Sequence, residues 1–196
     1  MRKGEATRAT ILAEATRQVA LDGLGGLALG PLADRLGLSK SGLFAHFKSA
    51  EALQLAVIEA ARERFGREVI GPALRQKTPV DQLYALFEGY LDWIKGSRDL
   101  PGCPFVSLIA DLDDRDGPAR DALVDGQASW RRLLVGIITE AQTEHEMRVD
   151  LEPEQIAFDL IGIALSYHVA VKLLGERGAR SRARNAYERA VHRWTY

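Results

Sequence analysis

Apolar residues recur at every third or fourth position along nearly the whole chain, and that spacing argues against a sheet before any motif is considered. Ile11, Ala15 and Val19 step by four, which predicts a first helix over residues 5–22, stopped by Gly23, Gly25 and Gly26. A short helix at about 29–36 tolerates Pro31 because that residue lies in the first turn. Gly37-Leu38-Ser39 then turns the chain into a helix over 40–47, and Ser49 can cap a longer one over 50–67. Beyond Gly71-Pro72, the residues Val80, Leu83, Phe87, Tyr90 and Ile94 share one face of a helix that ends near Gly96. Helices over 105–112, 119–145, 153–174 and 180–194 complete the expectation. No segment alternates as a strand would, and there is no internal repeat. The predicted fold class is all-α.

With 196 residues, 46% hydrophobic and 27% charged, the chain can bury a core of its own as one domain with an appendage or as two unequal domains. Cys103 is its single cysteine, which excludes a disulfide within the chain and fits a reducing compartment. The start, Met1-Arg2-Lys3-Gly4-Glu5, lacks the apolar stretch of a secretion signal. The most apolar run, Leu160–Leu165, is far short of the ~20 residues that span a bilayer. These features predict a cytoplasmic chain with no membrane partner. The net charge of −1 hides an asymmetry, since residues 1–48 hold seven basic and four acidic groups and the remainder 19 basic and 23 acidic. A basic N-terminal module on an acidic body points to a polyanion at one end.

Three short helices with a tight glycine turn between the second and third describe a helix-turn-helix unit that reads DNA. Ala33 is small where the two helices cross, and Gly37 permits the positive φ of a sharp turn. Leu36, Leu38, Leu43 and Phe47 supply an apolar wedge that fixes the angle of the third helix. Ser39, Lys40, Ser41 and Gly42 then stand at the helix end that enters a major groove, with Gly42 allowing close approach to the bases. Lys40, His46 and Lys48 can meet phosphates, and Phe44 lies on the same helix.

At these residues the sequence resembles the TetR family of bacterial transcriptional regulators. The likeness is close over residues 7–58, through Gly23, Leu32-Ala33, Gly37 to Ser41 and Leu43 to Leu53. Residues 72–196 look like the family's variable body in length, helical content and the Gly102-Cys103 opening. The resemblance implies an N-terminal helix-turn-helix DNA-binding domain, residues 1–49, joined to a helical-bundle ligand-binding and dimerisation domain, residues 50–196. It further implies a homodimeric repressor that binds double-stranded operator DNA, needs no cofactor, and is released by a small-molecule effector. Two departures bear on affinity. Phe44 stands where the family usually has a tyrosine whose hydroxyl reaches a phosphate. The segment Leu27-Ala28-Leu29-Gly30-Pro31 lacks the usual Ser or Thr cap, a loss of about 1 kcal/mol at a helix end.

In the body, the helix over 153–174 is apolar nearly all round, as a helix shared between subunits would be. Ala157, Leu160, Ile161, Ile163, Ala164 and Tyr167 are the residues expected at that interface. Trp93, Cys103, Phe105, Trp130, Tyr167 and His168 are candidates to line a ligand cavity among helices 79–95, 105–112, 118–145 and 153–174, although aromatics at helical spacing are more often plain core. Cys103 opens a helix, where backbone amides can lower a thiol pKa, and some family members sense oxidants through cysteine; a free cysteine is more often simply buried. The run Asp111, Asp113, Asp114, Asp116 lacks the spacing of a calcium loop and reads as a solvated connection, so no metal is expected. The basic helix over 180–194 reads as a solvated face. His46, His145, His168 and His192 form no zinc-protease spacing, there is no phosphate-binding glycine loop, and no enzyme is predicted. Two alternatives stay open at this point, an all-helical enzyme pairing His168 with a carboxylate and a helical adaptor for another protein.

Overall fold

The spacing of three and four residues is realised as ten α-helices, with no strand among the described residues, in a computed structural model that describes residues 3–195. Met1, Arg2 and Tyr196 lie outside them, and with Arg2 one of the basic groups counted at the N-terminus. The helices are α1 (Lys3–Asp22), α2 (Leu29–Arg35), α3 (Lys40–His46), α4 (Ala50–Phe65), the single turn α5 (Gly71–Ala73) and α6 (Pro79–Lys95). Then follow α7 (Pro104–Leu112), α8 (Pro118–Thr143), α9 (Pro153–His168) and α10 (Ala179–Trp194). Two expected helices are shorter than their apolar patterns. Those over 50–67 and 153–174 pass into π turns at Gly66–Ile70 and Val169–Leu173. In the first of these, Val69 presses on Gly89 of α6, where a Cβ would meet its side chain at 3.2 Å. α8 also stops before the expected His145, which takes a φ of 60° while the next two N–H groups turn back to the Ala141 carbonyl.

The packing divides the chain into two units. The described residues up to Arg64 join Gly96–Gly126 in the first, and Phe65–Lys95 join the residues from Gln127 onward in the second. This division by packing differs from the division by function expected at residues 49 and 50, because α7 packs on α1. α4 and α8 each run from one unit into the other.

In the first unit Ile11, Ala15 and Val19 are fully buried, and α1 ends at Gly23 with a φ of 66°. The missing side chain there leaves room for the Asp111 carboxylate, which accepts the Leu24 N–H at 2.6 Å. Asp111 is therefore a structural acceptor, unlike Asp113, Asp114 and Asp116, which are exposed as the solvated-loop reading expects. An aspartate in the last turn of a helix gives no sequence sign of a partner 87 residues away.

In the second unit α6 packs on α9, and α9 on α10. Phe87 stacks on Tyr187 with ring centroids 4.4 Å apart. Glu88 accepts from Arg180 at 2.6 Å and from Arg184 at 2.7 and 2.6 Å, and Arg180 also reaches Asp92. The basic C-terminal helix is thus no uniform solvated face, since two of its arginines clamp α10 to α6. Gln142 closes the connection between α8 and α9 by donating to the carbonyls of Arg148 and Leu151 at 2.8 and 2.7 Å. With its π turn, α9 forms the 21-residue stretch Pro153–Leu173, in which an 18-residue window reaches a mean hydropathy of 1.6, long and apolar enough by composition to cross a membrane. Asp159, Ser166 and His168 interrupt its apolar residues without lowering that average far.

Two stability outcomes follow from these contacts. Asp111→Ala orphans the Leu24 N–H and should cost about 1–2 kcal/mol in denaturant unfolding, with Asp111→Asn losing less because it keeps an acceptor. The guanidiniums of Arg184 and then Arg180 hold the Glu88 carboxyl below the ordinary glutamate range, against the opposing effect of burial. A depressed carboxylate stabilises the fold above the unfolded value of ~4.3 and loses that contribution as pH falls through its folded value. Glu88→Gln should therefore lower stability by about 1 kcal/mol at pH 7, the scale of a partly solvated charge network, and by progressively less as the titration runs below pH ~4.

Candidate functional site

The reading end begins at the turn between α2 and α3. Gly37 has a φ of 64°, its N–H donates to Asp34 O at 3.2 Å, and the Leu38 N–H donates to Ala33 O at 2.9 Å. These two bonds close a Schellman motif, which satisfies the last carbonyls of α2. Ser39 follows in extended conformation and caps α3, its Oγ accepting the Gly42 N–H at 3.0 Å and lying 3.1 Å from Ser41 Oγ. Leu43 and Phe47 are buried on the inner side of α3, while Leu36 and Leu38 are only half-buried. α2 has Ala28 at its N-cap with no side-chain bond, as the sequence implied.

The outer side of α3 presents Ser39, Lys40, Ser41 and Phe44, all exposed, with Gly42 and His46 half-buried between them. Lys48 is exposed just beyond the helix, and Ser49 caps α4 by accepting the Ala52 N–H at 3.0 Å. The structure thus brings together all seven residues expected at a DNA surface on one short helix and its exit. It adds two contacts that the sequence does not reveal. The Lys40 stem lies across Gly30 at the start of α2, where a Cβ would meet its Cε at 3.2 Å. The Arg8 guanidinium lies over the Phe47 ring at 4.9 Å, which sets a cation from α1 beside α3. Two other basic groups of this end are occupied, since Glu14 pairs with Arg17 at 2.8 Å and Arg35 at 3.5 Å. No ion pair engages Lys40 or Lys48 among the described residues.

The second unit holds a small, partly open apolar pocket. α6 contributes Leu83, Leu86, Phe87 and Tyr90; α8 contributes Trp130 and Leu134, and α9 contributes Leu160 and Ile161. Trp130 is the one expected cavity residue in this lining. Trp93 is buried beside it, edge-to-face with Phe65 at 5.2 Å, and Phe65 also meets Tyr90 at 5.7 Å and Trp130 at 5.2 Å. Cys103 and Phe105 are buried in the first unit, Cys103 at only 1% exposure as the N-cap residue of α7. Tyr167 is buried on α9, and burial pushes its hydroxyl pKa up. His168 is half-buried with no partner for Nδ1, and burial, then Lys172, pulls its pKa down. The leucines of α6 and α8 gave no separate sequence signal, because a lining leucine and a core leucine have the same spacing.

The residues expected at a subunit interface split between two faces of α9. Ala157, Leu160, Ala164 and Tyr167 are buried within the chain, and Ile161 lines the cavity. Ile163, with Tyr167, borders an open groove between α9 and α10. The apolar side chains that α9 and its π turn leave exposed are Phe158 at 65%, Leu165, Val169 and Leu173 at 79%. Phe158 and Val169 border the same groove, which Gly162, Ser166, Ala183, Ala186 and Ala190 also line.

Two family models match the chain. One, described as bacterial regulatory proteins, tetR family, matches residues 11–57, and one described as Tetracyclin repressor-like, C-terminal domain, matches residues 79–187, more than half of the chain. No curated protein matches it. Among solved structures, a TetR transcriptional regulator from Chloroflexus aurantiacus J-10-FL is 24% identical with a TM-score of 0.86, over 98% of this chain and 96% of that one. A TetR-family transcriptional regulator from Cytophaga hutchinsonii is 21% identical with a TM-score of 0.83, over 100% and 98%. AibR, solved in complex with isovaleryl coenzyme A and operator DNA, is 18% identical with a TM-score of 0.74, over 91% and 95%. At these identities the structural likeness establishes the fold.

Proposed function

The chain belongs to the TetR family of bacterial regulatory proteins, DNA-binding transcriptional regulators rather than enzymes, and from that premise we propose that it is a homodimeric repressor released from its operator by a small molecule. Residues 1–49 read the operator, and residues 50–196 take the effector and pair two chains. The observation that carries the reading is the outer side of α3, where a capped helix end exposes two serines and a lysine beside a half-buried glycine. Ser39, Ser41 and Gly42 are nearest the bases, and Lys40 and Lys48 meet phosphates on either side. Phe44 supplies an apolar surface in place of a hydroxyl. The place of work is the cytoplasm, where the DNA is.

The exposed apolar side of α9 supports pairing. Phe158, Val169 and Leu173, set around Gly162 and Ser166, suit a second copy of the same helix across a two-fold axis. A two-fold pair places two readers on one duplex face, with half-sites about one turn apart or a multiple of it. The cavity of the second unit supports an effector site, and AibR, a relative in fold, was solved with both a small molecule and operator DNA. α4 supplies a route between the two functions, since it starts one residue after the Ser49 cap and ends in Phe65, whose ring touches the cavity residues Tyr90 and Trp130. An effector shifts the equilibrium only by its differential affinity for the bound and released states.

Two measurements test the assignments. On a duplex selected from a random pool, Lys48→Ala and Lys40→Ala should each weaken binding and reduce the salt slope by about one, the signature of one lost phosphate contact. Unchanged affinity and slope in both variants would remove these lysines from the interface. For pairing, Phe158→Glu and Val169→Glu place charge on an exposed side of α9 and should leave the chain folded but sedimenting as a monomer. A wild-type chain that is monomeric at micromolar concentration would refute the dimer.

A further inference from the structure

From Arg8 to Lys48 the chain carries five basic side chains, and they divide by what they touch. Arg17 and Arg35 are paired with the Glu14 carboxylate at 2.8 and 3.5 Å, which offsets much of their charge. Arg8, Lys40 and Lys48 are exposed and have no ion pair among the described residues. Of these three it is Arg8 that an aromatic ring holds, its guanidinium 4.9 Å from the Phe47 centroid. A carboxylate that orients an arginine also neutralises it. An aromatic face orients the guanidinium and leaves its net charge and in-plane N–H groups open to another acceptor.

The place of that ring decides what the acceptor is. Phe47 is the C-cap residue of α3, between His46 and Lys48, and is only 3% exposed. A cation over it stands at the end of α3 that Lys48 follows, while Lys40 opens the helix. α1 and α3 lie in the same packed unit and touch directly, so the fold of the reading end alone sets this placement. At ~1.5 Å per residue the seven residues of α3 span about 10 Å, close to the ~12 Å width of a major groove. Cations at its two ends come within reach of the phosphates that border such a groove. Resting on the reading of α3 as the helix that enters the groove, we propose that Arg8 is a third phosphate contact of the DNA surface, held ready by the Phe47 ring and donating its paired N–H groups to a backbone phosphate on the Lys48 side.

The test is the DNA affinity of the full chain against salt concentration, on the duplex selected from a random pool and on a scrambled one. Arg8→Ala should lower affinity about tenfold at about 0.1 M salt, equally on both duplexes, and reduce the salt slope by about one. Arg8→Lys keeps the charge and should keep the slope. Arg8→Gln removes the charge but retains a polar stem, so it reads the same step should the alanine variant unfold early. Arg17→Ala, on the same helix, removes an arginine already paired with Glu14 and should leave the slope at its wild-type value. A wild-type slope in Arg8→Ala and Arg8→Gln would reduce the ring contact to packing and overturn the proposal, as would a lowered slope in Arg8→Lys. Weakening confined to the selected duplex would make Arg8 a reader of bases and overturn it too. Lys40→Ala and Lys48→Ala, titrated alongside, separate this proposal from the reading of α3. Slope lost in the lysine variants but kept in Arg8→Ala upholds α3 as the reader and removes Arg8 from the interface. Slope lost in Arg8→Ala but kept in both lysine variants upholds Arg8 and contradicts the lysine assignments.

Discussion

The left-handed backbone at Gly37 is the constraint on which the DNA-reading end depends. Its φ of 64° reverses the chain, and a residue with a Cβ in that conformation would cost about 1–2 kcal/mol. Because the turn is closed by bonds to Ala33 and Asp34, backbone hydrogen bonding fixes where α3 begins. The apolar wedge of Leu43 and Phe47 then holds its inner side down. With that side anchored, the polar residues of the capped end have only one direction left to face. Removing the wedge would free α3, and removing the turn would leave the wedge without a register.

α6 plays the corresponding part in the second unit. One side of it supplies half of the cavity lining, and a residue in the same turns, Glu88, holds two arginines of α10. A molecule that pushes on Leu83 or Tyr90 therefore pushes on the helix that α10 is clamped to. α10 also borders the groove beside the exposed apolar side of α9. Phe65, at the end of α4, closes the aromatic cluster next to the same cavity. The cavity, α10 with the groove it borders, and the end of α4 are in this way attached to one element, α6, which would give a bound molecule something to act on.

Much of this was legible in the sequence, for reasons that differ by element. The helix-turn-helix unit was readable because Gly37, Ser39 and Ser49 each have a local conformational role that no packing partner is needed to recognise. The all-α class followed from periodicity, and the missing α2 cap from Ala28 alone. The faces of α9 were not readable, because an all-round apolar helix gives no sign of which side meets its own chain. Ala157, Leu160, Ala164 and Tyr167 turned inward, and Phe158 and Leu173, which lie outside the expected interface set, turned out. Partners distant in sequence were invisible as well. Asp111 and Arg180 look like surface charges until α1 and α6 are placed against them. Aromatic residues drew attention as cavity candidates, yet Trp93 is packed away by Phe65, and most of the lining is leucine and isoleucine.

The central claim is that two copies of this chain grip one duplex through α3. A hydroxyl-radical footprint of the wild-type protein on the duplex it selects reads that claim directly. The account predicts two protected tracts on one face of the DNA, related by two-fold symmetry, with centres one helical turn of ~34–36 Å or a multiple apart. A single protected tract, two tracts in the same orientation, or protection that does not depend on sequence would contradict it.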